Sequence, residues 1–121
     1  MLNILIVDDS MIFRTMLTEL LTEHGYNVIG EAVNGVEAIR MHSELQPDVT
    51  FMDITMPEMN GLRALRRILE NDPDAKIIMV SSTARQENIS EALIIGAYDF
   101  LRKPLDTEKL FGLLADFTEE V

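Results

Sequence analysis

Three short runs in this chain are almost wholly apolar: "ILIV" (Ile4–Val7), "VTFM" (Val49–Met52) and "IIMV" (Ile77–Val80). Their length and their β-branched content mark them as strands. A strand without a polar face has nothing to offer water, so both of its faces must be covered. That demand is met by a parallel sheet with helices on either side. Two further runs complete the set, giving strand candidates Asn3–Asp8, Asn27–Ala32, Asp48–Asp53, Lys76–Ser81 and Tyr98–Lys103.

Helical periods fill the gaps. Ser10 is placed to cap a helix with Phe13, Met16, Leu17, Leu20 and Leu21 on one side, and Gly25 to stop it. A second helix, around Val36–Leu45, ends before Pro47. Asn60 begins a third, with Leu62, Leu65, Ile68 and Leu69 facing inward, closed by "NDP". A fourth carries Ile89, Ala92, Leu93 and Gly96 on one stripe, and the last carries Leu110, Leu113, Leu114 and Phe117. The pairs Asn34-Gly35 and Asn60-Gly61 could each be a hairpin turn. A 3.6-residue period follows each, so both read as helix starts. The expectation is an α/β fold of the (βα)5 kind: one doubly wound, five-stranded parallel sheet with right-handed crossovers.

With 121 residues, no internal repeat and no linker-like stretch, residues 1–121 read as a single domain. No cysteine is present, which removes disulfides and thiolate chemistry and is compatible with a cytoplasmic location. No apolar stretch reaches the roughly 20 residues of a spanning helix, so no membrane insertion is expected. The net charge is −11, from 21 acidic and 10 basic residues. This argues against direct contact with nucleic acid, whose phosphates call for a basic face, and suggests a cation or a basic partner.

The ends of the strand candidates share a chemistry. Asp8 and Asp9 end the first, Asp53 the third, Ser81 and Ser82 the fourth, and Lys103 with Pro104 the fifth. Ligands of such sheets sit at the carboxyl ends of the strands. If the first strand lies beside the third, one rim gathers three acids, two hydroxyls and an ammonium. Three close carboxylates need a cation or a proton. Oxygen donors without His or Cys point to a hard ion, Mg²⁺ or Mn²⁺. A metal beside a carboxylate, a lysine and a hydroxyl is also equipped for phosphoryl transfer.

Four segments, "VDDS" (Val7–Ser10), "MDITMPEMNG" (Met52–Gly61), "IIMVSS" (Ile77–Ser82) and "GAYDFLRKP" (Gly96–Pro104), occur in order at strand ends. Together they give the chain a resemblance, over essentially its whole length, to the receiver domains of two-component response regulators of the CheY type. The resemblance implies a flavodoxin-like sheet of strand order 2-1-3-4-5, for which CheY is a standing example.

The resemblance also implies a phosphorylation-activated signalling switch, not a free-standing enzyme, plausible in chemotaxis. Asp53 would accept a phosphoryl group from a sensor histidine kinase. Asp9 and Asp53 would bind Mg²⁺ directly and Asp8 mostly through water, with the Thr55 backbone carbonyl as a further ligand. Lys103 would pair with the phosphoryl oxygens, Ser81 would be the switch hydroxyl, Phe100 the switch aromatic, and the Ser82 N–H would face the phosphate. The bond before Pro104 would be cis. Thr55 and Thr83 would stand where relatives position the hydrolytic water, and neither offers an acid or amide. The fourth helix, fifth strand and fifth helix would form the face that meets a downstream protein or a second copy. On that face Ile94 is expected to point outward, with Arg85, Arg102 and Phe111 as neighbours. Like-charge repulsion further predicts that Asp8→Ala or Asp9→Ala stabilises the metal-free protein.

Other readings compete. A phosphatase with an aspartate nucleophile wants an acid two residues beyond it, where Thr55 stands. A flavin-binding domain would need a Gly- and hydroxyl-rich loop after the first strand, where "DDSMIF" is acidic. The chain could also be the receiver part of a longer regulator such as a chemotaxis methylesterase.

Overall fold

The computed structural model describes residues 1–82 and 85–119, apart from the side chains of residues 86, 118 and 119. Five strands alternate with five helices: β1 (Asn3–Val7), α1 (Met11–Glu23), β2 (Asn27–Ala32), α2 (Gly35–Leu45), β3 (Val49–Asp53), α3 (Gly61–Asn71), β4 (Ile77–Ser81), α4 (Gln86–Ile95), β5 (Asp99–Arg102) and α5 (Thr107–Glu119). The strands pair in parallel, in the order β2-β1-β3-β4-β5.

The apolar runs fill two cores because successive side chains of a strand point to opposite faces. Leu5, Val7, Met52, Met79 and Phe100 pack with Ala38, Ala64, Leu65, Ile68 and Ala92 under α2, α3 and α4. Ile4, Ile6, Phe51, Ile78 and Val80 pack with Leu17, Leu21, Leu110 and Leu114 under α1 and α5. Each large side chain among these contributes about 1.5–3 kcal/mol when removed from water.

Side-chain caps set the helix starts. The Ser10 Oγ accepts from the Phe13 N–H at 3.2 Å, the Asn34 Oδ1 from the Glu37 N–H at 2.8 Å, and the Asn60 Oδ1 from the Arg63 N–H at 3.0 Å. Both Asn-Gly pairs therefore open helices, as the period following them predicts.

Two helix faces differ from expectation. On α4 the buried stripe centres on Ala92, with Ile89 and Ile95 partly buried against the core, while Leu93 is 47 % exposed. Ile95 lies about 60° from Ala92 on a helical wheel and Leu93 about 100°, so Ile95 takes the inward place. On α1, Met16 sits at the stripe's edge and is exposed.

Candidate functional site at the carboxyl ends of the strands

Because β1 lies between β2 and β3, its end meets the end of β3, and β4 and β5 complete the rim. Asp8 follows the last residue of β1 and Asp53 is the last of β3. They are 1 % and 7 % exposed, whereas Asp9 faces solvent. Carboxylate oxygens of Asp8, Asp9 and Asp53 lie within 4.8 Å of one another.

Lys103 reaches in from the end of β5. Its Nζ donates to Asp8 Oδ2 at 2.7 Å and lies 3.8 Å from Asp53 Oδ2. The peptide bond from Lys103 to Pro104 is cis, and the Lys103 N–H donates to the Ser81 carbonyl at 3.1 Å. The other oxygen of Asp8 accepts from the Ser10 N–H at 2.9 Å. Asp53 accepts from the N–H groups of Ile54 and Thr55.

Asp53 is pushed up to about 6, chiefly by burial and further by the charge of Asp8; Lys103 and the two backbone N–H groups pull the other way. The sign of the effect on stability follows. A carboxyl that holds its proton more tightly when folded weakens the fold as pH rises from about 4 to about 6, and the cost is complete above 6. The Asp53→Asn variant of the metal-free protein is therefore expected to be more stable than the parent at pH 7.5. Each pKa unit corresponds to ~1.4 kcal/mol, and solvent at the mouth of the site reduces the gain to about 1–2 kcal/mol. Urea titrations at pH 7.5 and pH 4 check this: the advantage disappears at the lower pH.

At Asp8 an ion pair opposes the expected relief of repulsion. Its charge is matched by Lys103 at 2.7 Å, so Asp8→Ala removes the nearer partner of a largely buried ammonium and leaves it only Asp53 at 3.8 Å. The relief of repulsion belongs to Asp53, whose carboxylate lies farther from the lysine.

The structure brings together Asp8, Asp9, Asp53 and Lys103. It places Ser81 in a buried position at the end of β4, one residue past Val80, which pairs with Asp53. Ser82 and Thr55 are exposed on neighbouring loops, and Phe100 is buried on β5. Thr83 lies outside the described residues. Among the other polar groups, His42 is buried with its Nε2 3.7 Å from Asp72, and burial lowers its pKa. His24 stacks on Phe111 with ring centroids 3.9 Å apart. Phe111 thus faces α1 and is no neighbour of Ile94.

Sequence reasoning missed two residues. The Arg14 Nη1 donates to the Asp8 carbonyl at 2.7 Å while its Nε donates to Glu31 on β2 at 3.1 Å, tying α1 to the acidic corner. Phe13 falls on the apolar stripe of α1, yet its ring centre lies 4.1 Å from the Lys103 Nζ. Their positions in the first turns of the helix after Asp8-Asp9 are the available signal.

Ions of the Mg²⁺ class prefer oxygen ligands at about 2.1 Å, which spaces oxygens around one ion by about 3–4 Å. The three carboxylates approach that spacing and supply only hard donors, so the residues fit such an ion.

The fold and this rim define a class. The response regulator receiver domain family matches residues 4–115, and the chain belongs to it. It is a phosphorylation-activated signalling switch. The chain is 48 % identical over 112 residues to the chemotaxis protein CheY of Thermotoga maritima, covering 93 % of each. It superposes with a TM-score of 0.90 and 37 % identity on a chain in the crystal structure of the CheX-CheY-BeF3-Mg²⁺ complex from Borrelia burgdorferi, covering 95 % of this chain and 87 % of that one. It also matches the response regulator domain of Thermotoga maritima CheB, with a TM-score of 0.85 and 35 % identity over 98 % of this chain and 94 % of that one. The phosphatase reading is not favoured beside these matches to CheY. Among the described residues no helix is long and apolar enough to cross a membrane.

Proposed function

We propose that the chain is a single receiver domain, cytoplasmic, that takes a phosphoryl group on Asp53 from a sensor histidine kinase and, so modified, binds a partner protein in chemotaxis. The observation that carries the reading is the placement of Lys103 across Asp8 and Asp53, with Asp9 open to solvent beside them. One Asp53 oxygen attacks phosphorus, the P–N bond of the phosphohistidine breaks, and its electron pair stays on the imidazole nitrogen, which takes up a proton. An acyl phosphate remains.

Asp9 and Asp53, with the Thr55 carbonyl, would hold Mg²⁺, and Asp8 would hold it mostly through water; the same donors suit Mn²⁺. When bound, the ion offsets carboxylate and phosphoryl charge. Lys103 would neutralise a phosphoryl oxygen, and the Ser81 hydroxyl and Ser82 N–H would bind others. Phe100 has no hydroxyl, so its part in switching is packing alone. Thr55 and Thr83 offer the hydrolytic water neither acid nor amide, which favours a long-lived phospho-form.

Phosphotransfer from each sensor kinase of the same organism tests the reading. Rapid labelling by at least one, abolished by a chelator, is expected. Absence of labelling by every kinase and by acetyl phosphate overturns it.

Ile94 points outward as expected, but the groove on the α4, β5 and α5 face favours Leu93 as the output contact. Leu93, with Phe100, Arg102 and Lys109, lines a groove joining α4, β5 and α5, whereas Ile94, 84 % exposed, lines a separate groove with Arg66 and Leu69 of α3. Leu93→Glu is expected to weaken binding of a target, or of a second copy, to the beryllofluoride-loaded protein by about tenfold, with Asp53 phosphorylation unchanged. Ile94→Glu has the smaller effect. Calorimetry and sedimentation of both variants check the order.

A further inference from the structure

Four residues at the rim form a closed circuit. The Asp8 Oδ1 accepts from the Ser10 N–H, the Ser10 Oγ accepts from the Phe13 N–H, the Phe13 ring covers the Lys103 Nζ, and that Nζ donates to the Asp8 Oδ2. The aromatic step is the unusual one. The ammonium lies 4.1 Å from the ring centre, inside the roughly 6 Å reach of a cation–π contact. The Lys103 side chain is only 19 % exposed, so the contact is made largely out of water. A lysine carries four rotatable bonds and loses much freedom when held in one place. Two contacts hold this one near Asp53: a charged one from Asp8 and an aromatic one from Phe13.

We infer that Phe13 is a positioning residue for phosphoryl transfer: its ring keeps the Lys103 ammonium beside Asp53, where the incoming phosphoryl oxygens arrive. Phe13 touches no reacting atom and acts through Lys103. The helix cap makes this possible, because the Ser10 hydroxyl fixes the first turn of α1 and with it the origin of the Phe13 side chain. With an aliphatic residue at 13 the lysine keeps its ion pair but loses its second anchor. The phosphoryl group must then order the side chain on arrival. The consequence falls on the donor concentration needed for labelling more than on the maximal rate. This role rests on the assignment of Asp53 as acceptor and Lys103 as its phosphoryl partner.

Phe13→Leu keeps the apolar packing on α1 and removes the ring face; Phe13→Tyr keeps the face. Labelling by acetyl phosphate at saturating Mg²⁺ is measured against donor concentration. The half-saturating concentration is expected to rise about fivefold in Phe13→Leu, with the maximal rate within about twofold of the parent, and to return to the parent's value in Phe13→Tyr. In the metal-free proteins, NMR of the Lys103 ε-methylene reads the ring directly. Its upfield ring-current shift is present in the parent and in Phe13→Tyr and lost in Phe13→Leu. Parent-like saturation by Phe13→Leu, failure of Phe13→Tyr to restore it, or an unchanged methylene shift each overturns the inference. Error in the acceptor assignment shows itself separately, as continued labelling of Asp53→Asn.

Discussion

Asp53→Asn, exposed to acetyl phosphate and Mg²⁺ long enough to label the parent fully, shows no phosphoryl adduct by intact-mass spectrometry. The amide has the shape of the carboxylate but is not a nucleophile. No neighbour replaces it. Asp8 is occupied on both oxygens, by Lys103 at 2.7 Å and by the Ser10 N–H at 2.9 Å, and is 1 % exposed. Asp9 is accessible but belongs to the loop opening α1, away from the lysine contact. The variant is also expected to gain stability at neutral pH, and the urea titrations show whether the unlabelled protein is folded. A full adduct on it would remove Asp53 as the acceptor.

Gly61→Ala is expected to cost about 3 kcal/mol, a fall of about 10 °C in the melting temperature of a domain this size. A Cβ at position 61 would collide with the carbonyl oxygen of Asp53 and crowd the Ile54 Cα. These are backbone atoms and cannot rotate aside. The Gly61 N–H also donates to the Ile54 carbonyl at 2.6 Å, which pins the start of α3 against the end of β3. The strain therefore falls on Asp53, the proposed acceptor, and labelling is expected to slow as stability falls. Gly112 supplies the control. It lies within α5 and an added Cβ there meets nothing within 4 Å. Gly112→Ala should stabilise by about 0.5–1 kcal/mol through the better helix propensity of alanine. Equal effects at the two positions in denaturant titrations would contradict the close approach at Gly61.

The sheet was legible because its strands are buried on both faces. "ILIV", "VTFM" and "IIMV" leave no register in which a polar side must be chosen, and the strand ends fell within a residue of expectation. The rim was legible for the same reason: a charged residue directly after such a run can only stand at the strand's end. Helix faces were harder. In "ALII" every residue is apolar, so the sequence offers no contrast to orient α4, and packing on the sheet decided for Ile95 over Leu93. The unequal burial of Asp8 and Asp9 was also beyond the sequence, since two adjacent aspartates look alike until Lys103 approaches one of them. Phe13 and Arg14 were hidden by their types, as an aromatic on a helix stripe and an arginine on a helix surface have ordinary uses.

The ion pair between Lys103 and Asp8 joins residues 95 apart in the chain. During synthesis, a chain that has delivered its first four strands already carries the three aspartates but not the lysine. It lacks the ammonium that pairs with Asp8 and Asp53 in the finished fold. The ion pair thus forms only once the end of the last strand is in place. On the proposed assignment of Lys103 as the phosphoryl partner, this clasp ties phosphorylation of Asp53, on the first strand's neighbour, to the presence of the last strand.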